Sequence, residues 1–238
     1  MISKALFNRF YPDQSKDGAV AFYGWIRNYV DAHSVVLNLG AGPPADRGPL
    51  RSLKGKVGKV VGADIDPEVL SNPELDEAYV IENGRLPFSD SSFSVVYCDW
   101  VLEHIEHPLE FLAEVHRVLA PRGYFFFRTP NKNHYMTWIS RATPHWFHAL
   151  VANWARGYSD GEHEPWPTRY RLNSRKDILS AARQTGFSEA ELRMWEYQPL
   201  YLVFHAVPFM VGVGYERLVN RYDWLAGVRA SILGRLIK

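Results

Sequence analysis

Apolar and polar positions alternate in two styles along the chain. Up to about Pro130, short apolar runs are interleaved with helical patches. Val35-Val36-Leu37-Asn38-Leu39 is nearly all apolar and closes on Gly40-Ala41-Gly42, which suits a strand buried on both faces followed by a sharp turn. Lys59–Asp64, Ala78–Glu82, Phe93–Cys98 and Tyr124–Arg128 read as four further strands. Ala21, Phe22, Trp25, Ile26 and Val30 recur at helical spacing ahead of the first strand. A second helix is expected over Pro108–Leu119, with Leu109, Leu112, Val115, Val118 and Leu119 on one face and Gly123 beyond it as the stop. Strands alternating with helices predict an α/β fold with an open, mostly parallel sheet covered on both faces.

The pattern then breaks. Residues 131–173 hold Trp138, Trp146, Trp154, Trp166, His134, His145, His148 and His163. This stretch is too aromatic to be disordered and too long for an ordinary loop. It is expected to be a helical, aromatic-rich cap inserted at the carboxyl edge of the sheet, in one domain spanning 1–238 with a core of about 19–130 and 174–238. Beyond it, Ser174 and Asp177 resemble a capping box and Gly186 closes that helix. Glu191–Tyr197 alternates like a strand, and Val228–Lys238 fits strand or helix. Leu200–Tyr215 is almost wholly apolar but interrupted by Pro208, too short and broken to cross a bilayer. It is expected to be a buried helix plus turn. The alternative is peripheral membrane or lipid contact through 200–238, given the neighbouring Arg217, Arg221, Arg229, Arg235 and Lys238.

Composition narrows the classes. A net charge of +1 over 238 residues offers no broad nucleic-acid footprint. The single cysteine, Cys98, excludes an intrachain disulfide, and the first ten residues lack an uninterrupted apolar stretch. Both features suit a cytoplasmic protein.

The candidate chemistry begins at the glycine turn, where the backbone can approach a ligand closely. Asp64 falls about twenty residues beyond it at a strand end, where a carboxylate can accept both hydroxyls of a ribose. Asp66, followed by Pro67, is better placed to cap the next helix.

Several motifs occur in order: Asn38-Leu39-Gly40-Ala41-Gly42, Gly62-Ala63-Asp64-Ile65-Asp66, Leu86-Pro87-Phe88, Leu102-Glu103-His104, Arg117-Val118-Leu119 and Thr129-Pro130-Asn131. Together they resemble the class I S-adenosylmethionine-dependent methyltransferases, in the group acting largely on small molecules. The resemblance implies a Rossmann-like, seven-stranded sheet with an antiparallel last strand, which makes Val228–Lys238 a strand. It implies S-adenosylmethionine as cofactor. Asn38, Gly40, Ala41 and Gly42 would lie by its methionine portion, Asp64 by the ribose, Ile65, Glu82, Asn83 and Gly84 by the adenine, and Asp99 and Trp100 by the amino acid. Asn38, Pro44 and Ser94 depart from the family pattern, which commonly has an acid, a glycine and an aspartate there.

The implied reaction is methyl transfer to a small molecule, most readily at a hydroxyl, which calls for a base. His104 is the first candidate, and His134 and His163 of the cap are the others. No metal is expected, because the position that would complete a Glu-x-x-Glu-His run is Trp100. A non-catalytic S-adenosylmethionine-binding protein and a nicotinamide-dependent oxidoreductase are the rival readings. The second is disfavoured by the incomplete Gly-x-Gly-x-x-Gly spacing.

Overall fold

The computed structural model describes residues 2–44, 48–49, 51–142 and 167–238. Strands β1 (Val35–Leu39), β2 (Lys59–Asp64), β3 (Glu77–Val80), β4 (Phe93–Asp99), β5 (Leu119–Pro130), β6 (Glu189–Trp195) and β7 (Ser231–Ile237) form one sheet in the order β3-β2-β1-β4-β5-β7-β6. β1 pairs in parallel with both β2 and β4, β2 with β3, and β4 with β5. β7 runs the other way. Lys238 donates its N–H to Gly123 O and Asn131 donates to Ala230 O, so β7 descends as β5 ascends. The sheet is therefore mixed and mostly parallel, as the resemblance implies. Its central strands are buried on both faces: Val36, Leu37, Val95, Val96 and Cys98 are wholly enclosed. This is why their sequences read as continuous apolar runs.

Helices α1 (Lys4–Phe10), α2 (Gly18–Arg27), α3 (Pro108–Val118), α4 (Tyr135–Ala142), α5 (Arg175–Gln184) and α6 (Ala206–Arg221) complete the described elements, with short 3₁₀ turns between them. α2 buries Phe22, Tyr23, Trp25 and Ile26. α3 ends at Val118, one residue short of the expected Leu119, which already belongs to β5. Pro121 disfavours helical geometry at Ala120, and Arg122 takes the left-handed turn position at φ +63°. α5 begins as anticipated, with Ser174 Oγ accepting the Asp177 N–H at 3.2 Å, and Gly186 follows it at φ +86°.

The chain divides into two compact units. One comprises residues 19–129, 168–193 and 232–238, and carries β1 to β4, α2, α3 and α5. The other comprises residues 1–18, 130–167 and 194–231, and carries α1, α4 and α6. In the second unit Tyr11, Phe209 and Val213 form a core lined by Leu6, Phe7, Phe10, Tyr197 and Val203. Of the expected cap, α4 is described; His145, His148, Trp146, Trp154 and Trp166 lie outside the described residues.

The apolar stretch from Leu200 becomes a 3₁₀ turn over Leu200–Leu202 and then α6. Burial holds for Phe209, Gly212 and Val213 but not for Val207, Met210 and Val211, which are exposed. Among the described residues no helix is long and apolar enough to cross a membrane.

Candidate functional site

β3, β2, β1 and β4 are parallel neighbours, so their carboxyl ends share one edge. In spatial order this edge carries Glu82 and Asn83, then Asp64 and Ile65, then Gly40 to Gly42, then Asp99 and Trp100. Strand order reverses direction between β1 and β4, which opens a crevice beyond the strand ends.

The turn after β1 is tied down on both sides. Gly40 and Gly42 have φ of +76° and +66°, a region side chains enter only at a cost. A Cβ on Gly40 would also lie 2.3 Å from Val101 Cγ2. Gly40 donates its N–H to Ala63 O at 2.8 Å, and Gly42 donates to Asp64 Oδ2 at 2.7 Å. Asn72 Nδ2 donates to Gly42 O at 3.1 Å. The turn thus keeps its shape with Pro44 at the usual third glycine. Asn38 is buried and, with Tyr23, Asn72 and Tyr97, lines a small cleft beneath it.

Asp64 also accepts the Asp66 N–H through Oδ1 at 3.0 Å. A carboxylate offers about four lone-pair directions, so two remain for further donors. Asp66 caps the following turn through the Glu68 N–H, as anticipated. Ile65 stands beside Asp64 with 55% of its surface exposed, an apolar face at the mouth of the edge. After β3, Asn83 and Gly84 both have positive φ (55° and 71°) and Glu82 bridges Arg85. This is the conformation of a two-residue type I′ turn, for which Asn-Gly is suited. Glu82 and Asn83 line an open groove with Leu86, Phe88 and Arg117.

The end of β4 is built differently. Asp99 and Arg128 are register partners on adjacent strands, and their side chains form a two-pronged ion pair at 2.6 and 2.9 Å. Trp100 has φ +60°, strained for a bulky residue. It donates its N–H to Arg128 O, and the Arg128 guanidinium lies 5.2 Å from its ring. Three residues on, Glu103 is buried, and its Oε2 accepts the Thr129 hydroxyl at 3.1 Å. Asn173 Nδ2 donates in turn to Thr129 Oγ1 at 2.7 Å. Burial, reinforced by the nearby Asp99 charge, pushes the Glu103 carboxyl up to about 7, although the Thr129 hydroxyl and Arg128 oppose the rise. His104 Nε2 lies 4.0 Å from Glu103 Oε1, beyond hydrogen-bond reach, and its side chain is 31% exposed.

His134 belongs to the other unit and is buried there. Its Nδ1 accepts the Met136 N–H at 3.4 Å, and its Nε2 lies 3.3 Å from Glu196 Oε2. Tyr135 and Tyr215 close around it, and burial raises the Tyr215 phenol to about 12. His163 lies outside the described residues.

Residues 37–127 match the family described as a methyltransferase domain, and this span covers β1 to β5 with the whole glycine-to-His104 edge. Over this span the chain is similar to methyltransferase domains, and its sheet has their Rossmann-like fold. A structure of an S-adenosylmethionine-dependent methyltransferase from Archaeoglobus fulgidus covers 100% of both chains with a TM-score of 0.55 at 13% identity, a likeness of fold. A 37.1 kDa protein of transposon Tn4556 from Streptomyces fradiae is 32% identical over 51% of this chain. A probable S-adenosylmethionine-dependent methyltransferase of Mycolicibacterium smegmatis is 34% identical over 31% of it. The chain spans 38% and 30% of the lengths of these two relatives.

The edge fits S-adenosylmethionine, the cofactor that the resemblance implies, on two observations. Asp64 retains acceptor capacity, and Ile65 offers an exposed apolar face. Among the described residues no three His, Cys, Asp or Glu side chains converge to hold a metal.

Three participants in this architecture escape the residue-by-residue reading of the chain. Arg128 fixes the Asp99 side chain, Asn72 holds the turn, and Glu103 is buried behind His104. Only the first left a usable signal. Opposite charges at matching positions of adjacent parallel strands are expected to pair once the register is known.

Proposed function

We propose that this chain transfers a methyl group from S-adenosylmethionine to a hydroxyl of a small-molecule acceptor. The cofactor supplies an electrophilic methyl on a sulfonium. Gly40, Ala41, Gly42 and Asn38 hold its amino-acid end, together with the backbone of Asp99 and Trp100. The Asp64 carboxylate accepts the ribose hydroxyls, and Ile65, Glu82, Asn83 and Gly84 border the adenine. The side chain of Asp99 is committed to Arg128, so it orients the Trp100 turn.

The observation that carries the hydroxyl reading is the pair at the end of β4. His104 is partly exposed at the crevice edge, with the buried Glu103 carboxyl 4.0 Å behind it. An imidazole in that setting takes the acceptor proton as its oxygen becomes nucleophilic. Above about pH 7, where Glu103 is ionised, its carboxylate at this distance steadies the imidazolium that results. Glu103 is therefore a positioning residue and His104 the catalytic one. A net charge of +1 and the absence of a basic tract favour a small acceptor over a nucleic acid.

The test is release of S-adenosylhomocysteine against panels of hydroxyl, amine and carbon-acid acceptors. The reading requires turnover with hydroxyl compounds. His104→Ala is expected to lower kcat about a hundredfold or more with the affinity for S-adenosylmethionine unchanged. Turnover confined to amines would overturn the hydroxyl assignment. Tight cofactor binding with no turnover of any class would favour a non-catalytic binder.

A further inference from the structure

α6 has two apolar faces, and only one of them is covered. Phe209, Gly212, Val213, Glu216 and Val219 face the core of their unit. The opposite side presents Val207, Met210, Val211 and Leu218 at 65%, 45%, 65% and 51% exposure. Their spacing of three, four and seven places them in one stripe, with Gly214 between them. The stripe continues past both helix ends into Leu200 and Phe204 before it, and Tyr222 and Trp224 after it, the last 80% exposed. Of the fourteen large exposed hydrophobic residues among those described, eight fall between Leu200 and Trp224. That clustering sets the stripe apart from ordinary scattered surface apolarity.

The charge beside it on the helix has one sign. α6 carries Arg217 and Arg221 against a single carboxylate, Glu216. Glu216 is buried and consumed, since it accepts from Tyr11 and Asn220 and pairs with Arg217 at 3.2 Å. Asp223, just beyond the helix, is paired with Arg229 at 3.3 Å. An apolar helix face flanked by arginines, with an exposed tyrosine and tryptophan just past its end, matches a helix lying in the headgroup plane of an anionic bilayer.

We propose that the exposed face of α6 docks the protein on membranes carrying anionic lipids. The apolar stripe enters the headgroup boundary, and Arg217 and Arg221 on the same helix meet the lipid phosphates. This docking is independent of which acceptor is methylated.

Co-sedimentation of the full chain tests it, with vesicles of phosphatidylcholine alone or with about one-third phosphatidylglycerol. Binding to the mixed vesicles is expected to be at least about tenfold tighter than to phosphatidylcholine, and to weaken with salt. Val211→Glu combined with Leu218→Glu should lower it by about tenfold or more. Arg221→Glu should lower it about fivefold, one cationic contact's worth, and weaken the preference for the anionic lipid. All three positions are exposed, so the thermal midpoint and S-adenosylmethionine affinity of both variants should stay unchanged. Wild-type protein that ignores both vesicles would overturn the proposal, as would variants that bind like wild type. A dimer in light scattering that Val211→Glu dissociates, without vesicle binding, would assign the face to a second copy.

Discussion

The strand-end edge and the α4–α6 unit solve the problem of holding polar groups in opposite ways. At the edge, position is set by backbone: two glycines, an Asn-Gly turn and a strained Trp100 all have positive φ, and Asp64 spans from β2 to the Gly42 N–H. In the other unit, side chains carry the load. Asn131 is wholly buried and donates to Gly227 O and Arg229 O at 2.8 Å each, and the Glu196 carboxylate receives the Ala230 N–H at 2.9 Å. The difference teaches that substitutions should separate binding from stability according to the region they strike.

The largest effect is expected at the glycine turn. Gly40→Val places a branched side chain where a Cβ already meets Val101, in a conformation costing about 1–3 kcal/mol. Against a typical margin of about 5–15 kcal/mol the domain should still fold. Affinity for S-adenosylmethionine should fall more than about a hundredfold, with circular dichroism retained at 20 °C, a temperature of roughly maximal stability. Unchanged affinity would break the contrast. Asn131→Ala should behave in the opposite way. It strands two part-buried carbonyls and should cost about 1–3 kcal/mol in denaturant unfolding, while cofactor affinity in the folded protein moves less than about threefold.

Glu103 supplies a pH test within the edge itself. Its folded-state value, about 7, lies above its ordinary range, so the native state holds a proton that the unfolded chain has released. Its contribution is therefore present below the unfolded value and is lost as pH rises towards 7. Glu103→Gln should flatten this part of the stability curve and gain up to about 3 kcal/mol over wild type at pH 8. A parallel pH dependence in the two proteins would show that the carboxyl is not perturbed by burial. The smallest effect is a cap. Ser174→Ala removes the acceptor for the Asp177 N–H and should cost about 1 kcal/mol, leaving affinity alone.

The same contrast explains what could be read from the chain. Positive φ leaves a mark, because Gly40, Gly42 and Asn83-Gly84 are residues chosen for that geometry, and buried parallel strands leave unbroken apolar runs. The sheet and the grouping of these residues at its strand ends were legible for those reasons. Side-chain networks leave no periodic mark. Nothing in spacing alone pairs His134 with Glu196 or turns Glu103 inward behind His104. α6 misleads in a further way. An apolar run with both faces hydrophobic reads as buried, whereas one of its faces is open.

Calorimetric titration of the wild-type chain with S-adenosylmethionine and, separately, with NAD tests the central claim most directly. The edge built from Gly40, Gly42 and Asp64 should take up S-adenosylmethionine with one-site stoichiometry and give no heat with NAD. Binding of NAD without binding of S-adenosylmethionine would contradict it.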